Sequence, residues 1–440
     1  TIAPSMKDGG RIAATIEVLD DVLNRRQPVK AAMRDWGKKA RYAGAKDRAW
    51  VSGLALDALR RKNSIEYAMQ AEGPRALGLG ALKHAWEWDV RRIETAMKDD
   101  HAPSALSGQE RECLLLAPDP AAPPYVMGDF PEWLTPHMTR AFGPDAVIEA
   151  QAMAARAPAD LRINTLKSDP EKAGRALESV RAQPIAELTN GFRVPAPQSI
   201  ERQQSVEAIP AYSKGWVEVQ DMGSQIAAAV ACAQPGEQVL DYCAGGGGKT
   251  LAMAAAMENK GQVFAHDVDG RRLSAIIPRI KRAGAHNVQL RHPRENASLD
   301  DLQHAMDCVL VDAPCTGVGT WRRRPDAKWR LQPNALDKRR QEQAEILRTA
   351  CNYVKPGGRL VYITCSFLTE ENEDQVADFL ADRSDFAMAP VADAAAGSGV
   401  LTEQGVALVR KLSRPNGSLR LTPRSAGCDG FFVSVMRREA

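Results

Sequence analysis

Eight cysteines lie scattered along 440 residues without a single C-x-x-C pair or a histidine at ligand spacing. That absence excludes a zinc ribbon, calls for no metal and signals no disulfide framework, so the thiols read as reduced ones in a cytoplasmic protein. Long apolar runs are missing too. The best stretch, "IAAAVACA" near residue 226, falls far short of the about 18 residues that span a bilayer, and the opening residues show no charged-then-apolar secretion pattern. No membrane partner is expected. Charge of one sign is not in excess either: the formal net charge is +3, so any affinity for nucleic acid must come from local clusters. Aromatics make up only 5% of the chain, yet 44% of it is hydrophobic, enough for two or three cored domains.

What is present falls into three blocks. Residues 1–127 carry apolar residues at three- and four-residue spacing, as in "GGRIAATIEVLDDVLNRR" and "AKDRAWVSGLALDALRRKNSIEYAMQ", which predicts an all-α bundle. Arg25, Arg26, Lys38, Lys39, Arg41, Arg60, Arg61 and Lys62 are expected on its outer faces. The proline-rich "APDPAAPPYVMGDFPEWLTP" marks a break. Residues 128–212 mix helices with short strand-like pieces ("DLRINTL", "GFRVPA"), a small α+β module. From 213 to 440 the texture alternates: strand candidates "EQVLDYC", "GQVFAHDV", "NVQLR", "DCVLVDA" and "RLVYIT" are separated by helices, which predicts an α/β, Rossmann-like domain with a mostly parallel sheet. The closing "DGFFVSVMRR" reads as an edge strand.

In such sheets ligands bind beyond the carboxyl ends of the strands. The first of these strands runs into "CAGGGGKT", residues 243–250. A phosphate loop needs glycine where this chain has Cys243, which counts against a nucleotide-driven enzyme. A glycine turn followed by an acid at the end of the next strand, Asp267, suits an adenosine ribose instead. The fourth and fifth strands end at Asp312-Ala313-Pro314-Cys315 and Thr364-Cys365-Ser366. Cysteine is by default a small buried hydrophobe, and Cys232, Cys308 and Cys351 fit that role. Two cysteines at neighbouring strand ends in one cleft point to reactive thiols, for which neither hydride transfer nor ATP hydrolysis has a use.

These motifs, "CAGGGGKT", "VLVDAPCTGVGTWRRRPDAKWR", "YITCSF" with "EENEDQV", and "CDGFFVSVMRR", resemble RNA 5-methylcytosine methyltransferases of the Sun/RsmB type over essentially all of residues 215–440. The first block more weakly resembles the NusB-like helical domain of members that act on small-subunit ribosomal RNA, and the second their small RNA-binding subdomain. The resemblance implies a class I fold with S-adenosylmethionine as cofactor, RNA as partner and a monomeric state. It makes Cys365 the nucleophile at cytosine carbon 6 and Cys315 the helper in proton removal and release. Asp312 then bonds the cytosine edge, and Lys249 sits near base and thiolate. Cys243, Ala244 and Gly245, Gly246, Gly247 and Gly248 wrap the methionine part of the cofactor, joined by Lys249 and Asp312, while Asp267 takes the ribose. Two departures stand out. The family turn usually has Pro where this chain has Gly246, and "NVQLRHPREN" lacks the acid expected after the third strand, which leaves adenine to Arg294, Asn296 or backbone.

Between the fourth and fifth strands, five of the ten residues 321–330 are basic, with Trp321 and Trp329 near the ends. Basic residues interleaved with aromatics suit an RNA backbone and stacked bases, so Arg322, Arg323, Arg324, Lys328 and Trp329 are expected to touch RNA. Transfer RNA as the substrate, and a non-catalytic ribosome assembly factor, are the competing readings. The second has no reason to keep Cys315, Cys365, Asp312 and Lys249 together.

Overall fold

The computed structural model describes residues 5–117, 119–197, 205–294 and 299–440. By internal contacts the chain divides into two units: 1–156 with 197–203 and 321–332, and 157–196 with 204–320 and 333–440. This division differs from the three blocks read above. The helices Thr135–Phe142 and Ala146–Met153 belong with the first unit, and the small α+β module belongs with the second.

The first unit is helical, beginning with Asp8–Leu23, Val29–Lys39, Ala45–Arg60, Lys62–Met69, Pro74–His84 and Val90–Ala96. The stretch "AKDRAWVSGLALDALRRKNSIEYAMQ" forms two helices, broken at Arg61, and Asp89 caps the helix Val90–Ala96 by accepting from the Arg92 N–H. The apolar stripes meet in one core that includes Val18, Leu19, Leu54, Leu59 and Leu77. Burying each such side chain contributes roughly 1.5–3 kcal/mol before entropy is set against it. Arg60 is not on an outer face: its guanidinium is buried beside Asp57 and donates to the Arg322 carbonyl at 2.6 Å.

Residues 321–332 are part of this helical unit, and the structure corrects the reading of that segment as an open RNA surface. The Lys328 ammonium is buried against the rings of Trp321 and Trp329, 5.5 and 4.8 Å from their centroids, and donates to the Arg60 carbonyl. Burial pulls this lysine down to about 8. Trp329 donates its indole N–H to the Leu59 carbonyl at 2.7 Å, and Arg322 is buried. Of the five expected RNA contacts, Arg323 and Arg324 are the exposed ones.

The second unit holds two sheets. The small one has β1 (Ala159–Ile163), β2 (Gln183–Pro184), β3 (Gly191–Val194) and β4 (Val217–Val219), all antiparallel in the order β2-β3-β1-β4. Ion pairs tie it to the larger domain, since Glu218 on β4 takes both Arg279 and Arg282. The large sheet contains β5 (Gln238–Asp241), β6 (Gln262–His266), β7 (Val288–Arg291), β8 (Met306–Asp312), β9 (Val354–Thr364), β10 (Phe386–Ala389), β11 (Leu419–Leu421) and β12 (Phe431–Arg438). Its order is β10-β12-β9-β8-β5-β6-β7, with β11 also paired to β12. The five strands from β7 to β9 are parallel and the rest antiparallel. β12 is therefore not an edge strand. Its nearly continuous burial reflects a place between β9 and β10.

At the carboxyl end of β9 two backbones touch. Gly319 donates to the Cys365 carbonyl at 3.0 Å, and Gly430 donates to the Gly319 carbonyl at 2.8 Å. A Cβ on Gly319 would stand 2.3 Å from the Gly430 oxygen, so one strand end must move to admit it. Gly319→Ala is expected to cost about 1–3 kcal/mol, read as a lower urea midpoint. An unchanged midpoint would show that this contact is not tight.

Candidate active site

The parallel strands deliver their carboxyl ends to one edge of the sheet. After β5 the chain turns through Gly245 (φ +53°) and Gly247 (φ +79°) into the helix Gly248–Ala256. Both conformations are left-handed, where glycine alone is unstrained. A Cβ on Gly247 would also press on Ile276 at 2.9 Å. The turn is pinned from the end of β6: Asp267 accepts the Gly245 N–H at 2.8 Å with one oxygen and the Asp269 N–H at 2.9 Å with the other. Ala244 donates to the His266 carbonyl, and Gly247 to that of Ala244. In place of the stiffness a proline would give, the Gly246 carbonyl is held by Arg279.

This cradle fits a nucleoside sulfonium. Each Asp267 oxygen keeps a lone pair for a ribose hydroxyl, and the turn approaches without side chains at Gly245 to Gly248. Cys243 lies on the way in, its thiol pushed well up by burial and so held in the neutral form. Beyond β7 the chain offers Arg294, which is exposed, whereas Asn296 lies outside the described residues.

The reacting groups sit one strand over. Lys249, in the first turn of the helix, is buried and donates to Asp312 Oδ2 at 2.6 Å, with the Phe431 ring 5.3 Å away. Burial opposes its charge, but the Asp312 carboxylate outweighs this and holds Lys249 above its usual value. Cys315 and Cys365, 50 residues apart in sequence, bring their Sγ atoms to 3.4 Å. The hydrogen bond from Cys365, with burial behind it, holds the Cys315 thiol well above its usual value. Cys365, Cys315, Asp312 and Lys249 thus meet in one cleft, with Gly245 to Gly248 and Asp267 at the adjoining strand ends. Among the described residues no cluster of His, Cys, Asp and Glu could hold a metal.

Sequence reasoning missed what holds the two cysteine turns. Both oxygens of Glu371 are taken by Thr316, at 2.8 Å from its N–H and 2.6 Å from its hydroxyl, and Gln343 adds a third donor at 3.1 Å. Gln343 also donates to the Pro314 carbonyl, and the Tyr362 hydroxyl to the Glu371 carbonyl. Asn372 spans the other turn: it accepts from the Thr364 hydroxyl at 2.5 Å and donates to the Ser366 carbonyl at 2.9 Å. Glu371 and Asn372 are completely buried. The signal was present in "EENEDQV", where a carboxylate next to an amide so soon after Cys365 must find partners if it is buried.

Residues 228–437 match the family model described as 16S rRNA methyltransferase RsmB/F. Over these residues the chain is similar to the RsmB/F methyltransferases. That family is one of S-adenosylmethionine-dependent methyltransferases. A probable ribosomal RNA small subunit methyltransferase B from Synechocystis is 29% identical over 70% of this chain and 67% of its own length. The ribosomal RNA small subunit methyltransferase B of an Enterobacter strain is 36% identical over 57% of each. The chain thus spans about three fifths of the length of the curated relatives it matches. The crystal structure of NSun6 from Pyrococcus horikoshii with SFG has a TM-score of 0.59 at 20% identity, covering 71% of this chain and all of that one, a likeness of fold. The RsmB/F match runs from within the helix Met222–Val230 to the end of β12, so it contains the glycine turn, both cysteines and the Glu371–Asn372 pair.

One buried group in this unit titrates near neutrality. Burial drives Asp241, at the end of β5, up to about 7, although the Thr250 hydroxyl donates to it at 2.7 Å. An unfolded aspartate loses its proton near 4, so between about pH 4 and 7 the folded chain keeps a proton that the unfolded chain has released. This group therefore makes stability fall as pH rises through that window. Asp241→Asn cannot lose a proton and should flatten the slope, gaining on the parent between pH 5 and 8 in urea denaturation. A constant difference at both pH values would refute the shift.

Proposed function

We propose that this chain transfers a methyl group from S-adenosylmethionine to carbon 5 of a cytosine in RNA, with small-subunit ribosomal RNA as the substrate. The observation that carries the reading is the pair of sulfurs 3.4 Å apart beside the ion pair of the buried Lys249 with Asp312. Carbon 5 of cytosine is too weak a nucleophile to be methylated directly, and a covalent route divides the hard step into two easier ones. S-adenosylmethionine, when bound, supplies the electrophilic methyl group.

The chain's own residues do the rest. The Cys365 thiolate adds to carbon 6, and the π pair of the 5,6 double bond shifts toward carbon 5. Asp312, held in place by the Lys249 ammonium, receives the hydrogen-bonding edge of the ring. Lys249 places a cation near the Cys365 sulfur, which favours the thiolate. Once carbon 5 carries its methyl, the proton it bears must leave. Cys315 assists that removal, and the electron pair re-forms the double bond as Cys365 departs from carbon 6.

The names of the curated relatives support ribosomal RNA as the substrate, and the helical first unit fits a role in positioning a folded RNA. Unstacking the target base costs a few kcal/mol, which contacts away from the cleft can offset. Arg323 and Arg324 are the exposed basic residues of the 321–330 segment.

Labelled methyl transfer to ribosomal and transfer RNA from a strain lacking this protein should place label in 5-methylcytosine of small-subunit RNA. Cys365→Ala should abolish transfer with cofactor binding unchanged. Cys315→Ala should accumulate a protein–RNA adduct that survives denaturant on a gel. Turnover by Cys365→Ala, or a normal rate with no adduct in Cys315→Ala, would overturn the cysteine roles.

A further inference from the structure

Two thiols 3.4 Å apart at the ends of neighbouring strands are chemically alike, and nothing in their spacing says which attacks. Their surroundings are not alike. The Cys315 turn rests on Glu371, whose two oxygens accept only from donors: the Thr316 N–H, the Thr316 hydroxyl and the Gln343 amide. The side chain is completely buried, and each of its hydrogen bonds comes from a group able to donate to a carboxylate. The Cys365 turn rests on Asn372, a neutral amide that bonds Thr364 and Ser366 on either side of the cysteine.

We propose that Glu371 and Lys249 assign the roles of the two cysteines: the buried carboxylate under the Cys315 turn keeps that sulfur a thiol, and the Lys249 ammonium draws the negative charge to Cys365. Glu371 is a positioning residue, since it acts through Thr316 and its charge and does not touch the reacting atoms. This rests on the methyltransferase reading for its purpose, though not for its test.

The groups that face the two sulfurs agree. Cys315 faces Cys365, the charge of Glu371 and the Gly317 N–H, and the first two both disfavour its thiolate. Tyr362, beneath, is neutral, its hydroxyl donating to the Glu371 carbonyl at 2.6 Å. Lys249 faces Cys365, Asp312 and Asp241, and all three support its charge. A thiolate beside a cation is favoured and one beside a carboxylate disfavoured. To take the proton from carbon 5, Cys315 must first give up its own, which becomes easier once Cys365 is bonded to carbon 6 and carries no charge.

The test is peptide-resolved alkylation of the full chain by iodoacetamide across pH 6–10, without RNA or cofactor. In the parent, Cys365 should react first and Cys315 last. In Glu371→Gln, Cys315 should react about tenfold faster at pH 8 while Cys365 is unchanged, and Glu371→Asp should restore the parent profile. In Lys249→Met, Cys365 should slow about tenfold and by more than Cys315, which keeps the test open if Glu371→Gln does not fold. An unmoved Cys315 in folded Glu371→Gln, or equal changes at both cysteines in either variant, overturns the proposal. Failure of the parent to methylate any RNA would sink the functional reading and leave this measurement standing.

Discussion

Parallel pairing of β5, β8 and β9 is the constraint on which everything at the site depends. Register sets Asp241 opposite Leu310 and Asp312 opposite Ile363, so three strands finish at one edge and hand their next residues to one cleft. The single antiparallel neighbour adds to it. β12 pairs Phe432 with Thr364, so it begins where β9 ends, and that direction brings Gly430 against Gly319 and the Phe431 ring toward Lys249. Had β12 run parallel, its far end would stand there instead, with Arg437 and Arg438 in place of an aromatic ring.

The edge so formed concentrates charge in a place with little water. Lys249 and Asp312 neutralise each other, Asp267 is neutralised in effect by backbone N–H groups, and Glu371 by three donors. Each charged group is tied to a neighbour, which is what a buried charge requires. The cleft is therefore organised before any ligand enters. Preorganised dipoles of this kind need no rearrangement during a reaction.

Much of this was legible in the residues. The alternating strands and helices, the glycine turn, Asp267, and the two cysteines at strand ends follow from patterns with a definite physical cause, and the structure brings them together. Two kinds of feature were not. Charge is read from composition as facing water, so "WRRRPDAKWR" looked like a surface. Yet Lys328 and Trp329 interleave as one packed face, because a long aliphatic stem lets an ammonium lie between indole rings. Buried polar supports are the other kind. Glu371 and Asn372 sit in a run of acids that reads as an exposed helix start. Their burial depends on where β9 ends and the helix Glu373–Asp382 begins, which no local period reveals. The direction of β12 was hidden for the same reason, since an alternating apolar segment is equally at home at an edge or inside.

The membership of residues 321–332 has a consequence for how this chain can be divided. The segment lies in sequence between β8 and β9, inside the catalytic half, yet its side chains are packed among helices drawn from the first 156 residues. A fragment starting at residue 157 is thus not a catalytic domain freed of an appendage. It would carry the indoles of Trp321 and Trp329 and the apolar stem of Lys328 into water, stripped of Leu59, Arg60 and Lys62, on the very loop that leaves Cys315. The border between the two halves is drawn in space and not in sequence, and the polypeptide crosses it more than once. Loss of the first 156 residues would therefore strip this segment of the helices that cover it while leaving it tethered within the second half of the sequence.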